Sequence, residues 1–282
     1  MSSVPQRIQR LAGDFSRSVG KLKHEISPKS VHHLRTTIRR VESLIDYVRP
    51  ELGKKQRKVL KELASLRRRA GRVRDLDVQA VLLDAIANGS TAADRRALKE
   101  FLSRKRERQA QRLATAVENR SPRLFARIKA SLMAYEANAP DAAANPLDQA
   151  RLGLAKLAIK LQASELKPKR LHEVRIKLKH IRYLAEVAEE SADQTRFLEQ
   201  MKSVQDAIGE WHDWETLATT AGKRFGDRVN CALLMEIQSL FSARYSAAAS
   251  SVTRLLAPYA PPAARKQPRS AAKEESAHQS AS

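Results

Sequence analysis

Two short stretches of this chain carry the same arrangement of side chains that can bind an anion. In each, a histidine is followed by an arginine three residues later and by a second basic residue seven residues later. They are His32, Arg35 and Arg39 and, 140 residues further on, His172, Arg175 and Lys179. Arginine presents a planar fork of donors to phosphate oxygens, lysine adds a point charge and histidine adds another donor. Because one helical turn rises about 5.4 Å, such a row could bind successive phosphates of a linear chain.

The basic residues come one position after apolar residues that recur at helical spacing. The apolar positions are Val31, Leu34, Ile38, Val41, Ile45 and Val48 in the first stretch and Leu171, Val174, Leu178, Ile181 and Ala185 in the second. One residue turns a helix by about 100°, so each basic stripe lies beside the buried face rather than opposite it. The shared register favours a ligand surface, with solvation or internal ion pairing as the alternatives.

We predict that the two stripes face each other and bind a polyanion between them. The predicted ligand residues are His32, Arg35, Arg39, Arg40, His172, Arg175, Lys179 and Arg182. The predicted supporting residues are Arg67, Arg74, His33, Lys177 and His212. Because such binding is mainly electrostatic, its affinity should fall steeply with salt.

The charge of the whole chain agrees with an anionic partner. The 282 residues carry a net charge of +22, of which +18 falls in residues 1–140 and +4 in residues 141–282. A field of this sign attracts nucleic acid, anionic membranes or polyphosphate. The apolar fraction of 42% is high enough for a folded core.

Apolar residues at three-to-four spacing, interrupted by few glycines and prolines, predict an all-α fold. The predicted helices cover residues 5–24, 29–49, 53–73, 75–88, 91–119, 121–137, 146–164, 169–190, 194–211, 213–224 and 228–257. Asp94 and Ser121 are predicted to contribute to helix starts, Ser121 as the N-cap before Pro122. Residues 258–282, rich in Pro, Ala, Ser and Lys, are predicted to be a disordered tail.

The internal similarity extends past the two stripes. The segment Gly71–Asp75 corresponds to Gly209–Asp213, 138 residues later, and the apolar positions before it match as well. Two similar helical bundles joined near residue 140 are therefore predicted, with halves at about 5–138 and 145–257. Asp75 and Asp213 are expected to cap the next helix, and the alternative is that they orient neighbouring His or Arg side chains.

These residues resemble the CHAD family, the conserved histidine α-helical domain. The matching segments are Val31–Arg35 with Arg39 and Arg40, Val73–Val78, Leu171–Arg175 with Lys179 and Ile181–Glu186, and Gln205–Gly209. The resemblance covers residues 5–257, and four motifs in order at matching spacing make it specific. The chain departs from the family pattern at His212, where a small polar residue is expected, and at His33, which doubles the first histidine.

The resemblance implies two antiparallel helical bundles related by a pseudo-twofold, with a basic groove between them. It also implies binding of inorganic polyphosphate and association with polyphosphate granules in the cytoplasm. The family is sometimes fused to a triphosphatase domain, for which this chain has no room, so a binding module is expected rather than an enzyme.

Two other classes of function stay open at this point. The charge also suits a nucleic-acid binder, but aromatic residues make up only 5% of the chain and Tyr183 alone lies among the basic stripes. A phosphohydrolase or metal-dependent enzyme is disfavoured because no histidine pair has the i, i+4 spacing of HExxH and no acid–base pair stands out. Weak nucleic-acid binding is allowed, and no metal or cofactor is expected.

Other features of the sequence bear on location. The lone cysteine, Cys231, cannot form an internal disulfide and fits a reducing compartment. The N-terminal residues lack the apolar core of a signal peptide, and no apolar run is long enough to span a membrane. A cytoplasmic protein with no membrane span is therefore expected.

Overall fold

The protein is all-helical in the part of the chain that the computed structural model describes. The described residues are 4–48, 53–86, 91–136, 145–161, 166–186, 188–226, 228 and 231–260. Their α-helices are α1 (Val4–His24), α2 (Pro28–Val48), α3 (Lys54–Ala85), α4 (Ala92–Glu136), α5 (Pro146–Leu161), α6 (Pro168–Ala185), α7 (Ala192–Phe225) and α8 (Ala232–Leu256). A short 3-10 turn, Ala257–Tyr259, follows α8, and these ranges contain no strand.

Three predicted helix breaks are wrong, because α3, α4 and α7 each run through a position where the sequence suggested an end. In α3 and α7 the interior residues Gly71 and Gly209 cost only about 1 kcal/mol each relative to alanine. In α4 the helix continues through Pro122, so Ser121 is not an N-cap, whereas Asp94 does lie in the first turn. Leu113 and Leu124, before and after Pro122, are buried in one cluster, and this continuous apolar face offsets the lost hydrogen bond.

Three hydrophobic clusters hold the helices together. The first joins α1 to α4 around Phe15 and Leu63, and the second joins α5 to α8 around Met201 and Trp211. The third contains residues from both predicted halves, including Leu83, Leu98, Leu217, Phe225 and Ile237. This shared cluster packs α3 against α7, and the same arrangement brings α2 against α6.

Several helices begin with residues that favour a helix N-terminus. Pro28, Pro146 and Pro168 each occupy the first residue of a helix, where the missing N–H costs no hydrogen bond. Ser191 caps α7 by accepting a hydrogen bond from the backbone N–H of Gln194. The first residues of the predicted tail 258–282 are ordered, because Pro258 and Tyr259 belong to the 3-10 turn and Tyr259 packs against the second cluster. The rest of the predicted tail, beyond residue 260, lies outside the described residues. Within the described ranges, no helix has both the length and the apolar character that spanning a membrane requires.

Candidate functional site

The packing of α2 on α6 places basic residues of the two stripes within electrostatic reach of each other. Loss of hydration, opposed by Asp213 and reinforced by Arg39 and Arg35 of α2, lowers the pKa of Arg175 from 12.5 to about 10. The predicted ligands Arg35, Arg39, Arg175 and Lys179 thus share one local field, and we call these four residues the cationic cluster.

Lys179 shows the strongest effect of this crowding. Loss of hydration, followed by the charges of Arg175, Arg39 and Arg35, lowers the pKa of its amine from 10.5 to about 6. At neutral pH the amine in the free protein is therefore mostly uncharged. A nearby anion would favour the ammonium form, so the cluster is suited to bind an anion and a proton together.

Two carboxylates act on the cationic cluster, and both are placed differently from the prediction. Asp75 lies in the middle of α3 and Asp213 in the middle of α7, so the expectation that they cap a following helix is wrong. Asp75 instead accepts a hydrogen bond from Arg35 at 3.4 Å, as in the alternative interpretation. Loss of hydration raises the pKa of Asp213, although Arg175 opposes the shift.

Gly71 makes room for the guanidinium of Arg35. A Cβ atom added at this buried glycine would lie 3.0 Å from Arg35 Nη1, closer than most real Cβ contacts. The corresponding Gly209 has no atom within 4 Å of an added Cβ. Of the two matching glycines, Gly71 therefore serves the placement of an arginine, and Gly209 has no such constraint.

The histidines of the motifs lie at the border of the cationic cluster. Loss of hydration and the charges of Arg74 and Arg35 lower the pKa of His32, which is exposed on α2. Loss of hydration, then Arg175 and His172, lower the pKa of His212 to about 3. His212 is thus neutral at physiological pH, and its ring lies 5.4 Å from that of His172 between centroids.

Arg40 and Arg182 are engaged in a local ion pair. The carboxylate of Glu186, the residue after α6, accepts hydrogen bonds from Arg40 Nε at 2.9 Å and from Arg182 Nε at 3.1 Å. Arg182 also donates to Gln205 of α7 at 3.0 Å. The pair therefore ties α2 to α6, and internal pairing, the alternative left open by the sequence, describes these two arginines.

The predicted supporting residues occupy different surroundings. Arg67 pairs with Glu42 at 2.7 Å, while Arg74 acts electrostatically on both His32 and Asp213. His33 and Lys177 are exposed. Tyr183, the lone aromatic residue in the stripes, lies under the guanidinium of Arg39 at 5.9 Å from ring centroid to Cζ. Tyr183 thus holds an arginine in the free protein.

One group of residues was missed by the sequence analysis. His172, His212 and Glu215 have ligand atoms that all lie within 4.8 Å of one another. The HExxH pattern requires two histidines four residues apart on one helix, whereas the members of this group lie on two helices, α6 and α7. The three-residue step from His212 to Glu215 was the available signal.

Comparison with known proteins identifies the family and the fold of this chain. The family model described as CHAD domain matches residues 7–222. The chain belongs to the CHAD domain family. Among curated proteins, none matches this CHAD chain significantly.

Two solved structures resemble the CHAD chain in fold. One is described as the crystal structure of the CHAD domain from the plant Ricinus communis. It is 17% identical, has a TM-score of 0.69, and the match covers 90% of each chain. The other is PptA from Streptomyces chartreusis, at 16% identity and a TM-score of 0.61, covering 91% of this chain and 97% of the other. At these identities the likeness establishes a shared fold.

Proposed function

We propose that this CHAD domain binds inorganic polyphosphate in a basic groove between two similar helical halves related by a pseudo-twofold. One observation carries the proposal, which is the excess of positive charge where α2 meets α6. The basic residues acting there are Arg35, Arg39, Arg74, Arg175 and Lys179, and the carboxylates are Asp75 and Asp213. Like charges held together and partly stripped of water are costly unless an anion compensates them.

A buried donor without a partner supports the proposal that an anion binds here. Arg175 Nε is buried and has no hydrogen-bond partner among the described residues. A buried donor left without a partner costs about 1–3 kcal/mol, and more when it is charged. A phosphate oxygen would satisfy this donor, offset the charges of Arg35, Arg39 and Arg175, and favour the charged form of Lys179.

A linear polyphosphate fits better than a nucleic acid. Side chains one turn apart along two packed helices offer a row of contacts without base recognition. Arg39 lies over one face of Tyr183, the single aromatic residue of the stripes, so the stripes offer no series of aromatic platforms on which bases could stack. The proposal therefore assigns binding to phosphate oxygens alone, with His32, Arg35, Arg39, His172, Arg175 and Lys179 as ligands.

The same proposal extends to the role of the protein. We assign it as a binding module rather than an enzyme, acting in the cytoplasm at polyphosphate granules. Membership in the CHAD domain family supports this role through the resemblance described above, and the cationic cluster supplies a physical basis for retention on a polyphosphate-rich particle.

A salt titration of binding tests the proposal. Long-chain polyphosphate, duplex DNA and single-stranded RNA would be compared at equal phosphate concentration while salt is raised. We expect polyphosphate to stay bound at salt concentrations that release both nucleic acids, because a shaped site adds hydrogen bonds to the screened charge term. Equal, fully salt-labile binding of all three would mean that the charge acts generically and would refute the groove.

A double substitution, Arg35→Ala with Arg175→Ala, locates the site. Its matched control is Arg68→Ala with Arg196→Ala, which removes the same charge from exposed positions. Polyphosphate affinity should fall much further in the first variant than in the second. Equal losses would refute the assignment of ligands to the cationic cluster.

A further inference from the structure

We propose that His172, His212 and Glu215 form a binding site for one divalent transition-metal ion of the zinc type. His212 and Glu215 are one turn apart on α7, and His172 is on α6. His212 Nδ1 lies 3.1 Å from Glu215 Oε2, and all three ligand atoms lie within 4.8 Å of one another.

The distances between the ligand atoms suit the binding of one shared ion. Zinc bonds to histidine nitrogen and carboxylate oxygen are about 2.0–2.2 Å long, so two ligands of one ion lie about 3–3.5 Å apart. His212 and Glu215 already have this separation. The imidazole of His172 must move closer, and its exposed side chain can do so by rotation.

The donor set and its surroundings select the class of metal. Two imidazoles and one carboxylate suit zinc and its neighbours, whereas magnesium and calcium prefer several oxygen ligands. The charge of the nearby Arg175, which acts on His212, disfavours an ion that is held mainly by electrostatic attraction. Three protein ligands leave at least one coordination position open for water or an oxygen anion.

The site has no counterpart at the matching positions of α2 and α3. Counting back 138 residues from His212 and Glu215 leads to Arg74 and Asp77. An arginine cannot ligate a metal, and Asp77 is buried and paired with Arg106 at 2.6 Å. Among the described residues one such site is therefore expected, and His212, a departure from the family pattern, is the residue on which it depends.

The test uses untagged, chelator-treated full-length protein without polyphosphate. Zinc binding would be measured by isothermal titration, and the geometry by the visible absorption of bound cobalt. We expect one tight site in the wild type and at least a tenfold loss of affinity in His212→Asn and in Glu215→Gln. The control is His180→Asn, which changes an exposed histidine of α6 outside the group.

The outcomes separate a built site from incidental binding. Helix content measured by circular dichroism shows whether each variant is folded. If folded His212→Asn binds zinc as tightly as the wild type, or if the wild type binds no zinc tightly, the proposal is wrong. Retention of the cobalt spectrum in Glu215→Gln would remove the carboxylate from the ligand set and overturn the site as stated.

An extension rests on the proposed function. His172 is also a predicted polyphosphate ligand, so an ion held there could accept a phosphate oxygen in its open position. Zinc should then raise polyphosphate affinity in the wild type and leave it unchanged in His212→Asn. Zinc binding without any polyphosphate binding would refute the proposed function and leave the metal site intact, whereas the reverse result would refute the metal site alone.

Discussion

The two motif segments, α2 with α3 and α6 with α7, share a sequence pattern but differ in how far their charges are neutralised. In the first, Arg35 has an acidic partner, Asp75, and space provided by Gly71. In the second, Arg175 has an unsatisfied buried Nε, and the pKa of Lys179 falls to about 6 because of lost hydration and neighbouring charge. Residues that match in sequence therefore need not contribute equally to binding.

The largest loss of polyphosphate affinity should come from Arg175→Ala, and it should exceed the loss in Arg35→Ala. Removal of Arg175 should weaken polyphosphate binding about 10- to 100-fold, since charged hydrogen bonds contribute about 1.5–3 kcal/mol each. Arg35→Ala should cost less, because part of the hydrogen-bonding capacity of Arg35 is already used by Asp75. Equilibrium binding of a labelled polyphosphate at fixed salt measures both. Equal losses of affinity would mean that the two segments contribute equally to polyphosphate binding, which would contradict the difference described above.

Affinity should also depend on pH through Lys179. Its lowered pKa of about 6 leaves the amine mostly neutral in the free protein above pH 6, and a bound polyanion favours the charged form. Binding then takes up a proton, so affinity rises as pH falls from 8 to 6, by at most about tenfold per pH unit for one proton. Lys179→Met should flatten this dependence. An unchanged profile in the variant would assign the proton uptake to another group.

Lys179 should also lower the free energy of unfolding of the protein without ligand. The unfolded chain keeps the proton on Lys179 up to its ordinary pKa of 10.5, whereas the folded chain loses it near pH 6. Stability from this group therefore increases with pH between about 6 and 10.5. Lys179→Met should raise Tm at pH 7 by at least about 2–4 °C, the shift that 1 kcal/mol produces in a domain of this size. A lower Tm would contradict the expected cost of burying the Lys179 amine in the free protein.

Substitution of the two matching glycines, Gly71 and Gly209, should give smaller effects that differ between the two positions. Gly71→Ala should weaken polyphosphate binding about threefold to tenfold by displacing Arg35, since roughly 1 kcal/mol is a typical cost of a disturbed hydrogen bond. Gly209→Ala should leave binding unchanged and stabilise α7 by about 1 kcal/mol, because the added methyl group meets open space. Thermal unfolding and binding assays on both variants check this. Similar binding losses at both positions would show that Arg35 does not depend on Gly71.

The smallest effect is expected at Glu186, which pairs with Arg40 and Arg182. Glu186→Gln should cost no more than about 1 kcal/mol of stability, as is usual for partly exposed ion pairs. If Arg40 and Arg182 also contact polyphosphate, removing the shared acid should tighten binding up to about threefold, the equivalent of less than 1 kcal/mol. Unchanged affinity would restrict both arginines to joining α2 and α6.

Much of this site could be predicted from the sequence. The spacing of Arg35, Arg39, Arg175 and Lys179 placed them beside the buried faces of two helices, and the structure brings the four together. The roles of Asp75 and Asp213 were misjudged because local rules treat a Gly-Asp segment as a helix boundary. Burial of Leu76 and Trp214 beyond those segments keeps each helix continuous, and such long-range packing is invisible to local rules. The group of His172, His212 and Glu215 was missed because its members meet across two helices.

The sequence by itself determined the helical class, the positions of most helix starts, the family and the chemical character of the two stripes. These follow from periodicity, proline placement and residue type, which are local properties of the chain. Only the tertiary structure decided which cations are paired, which lose their water, and which histidine meets a carboxylate. Those outcomes depend on distances between residues far apart in sequence, because hydration and electrostatic energy change steeply over a few ångströms.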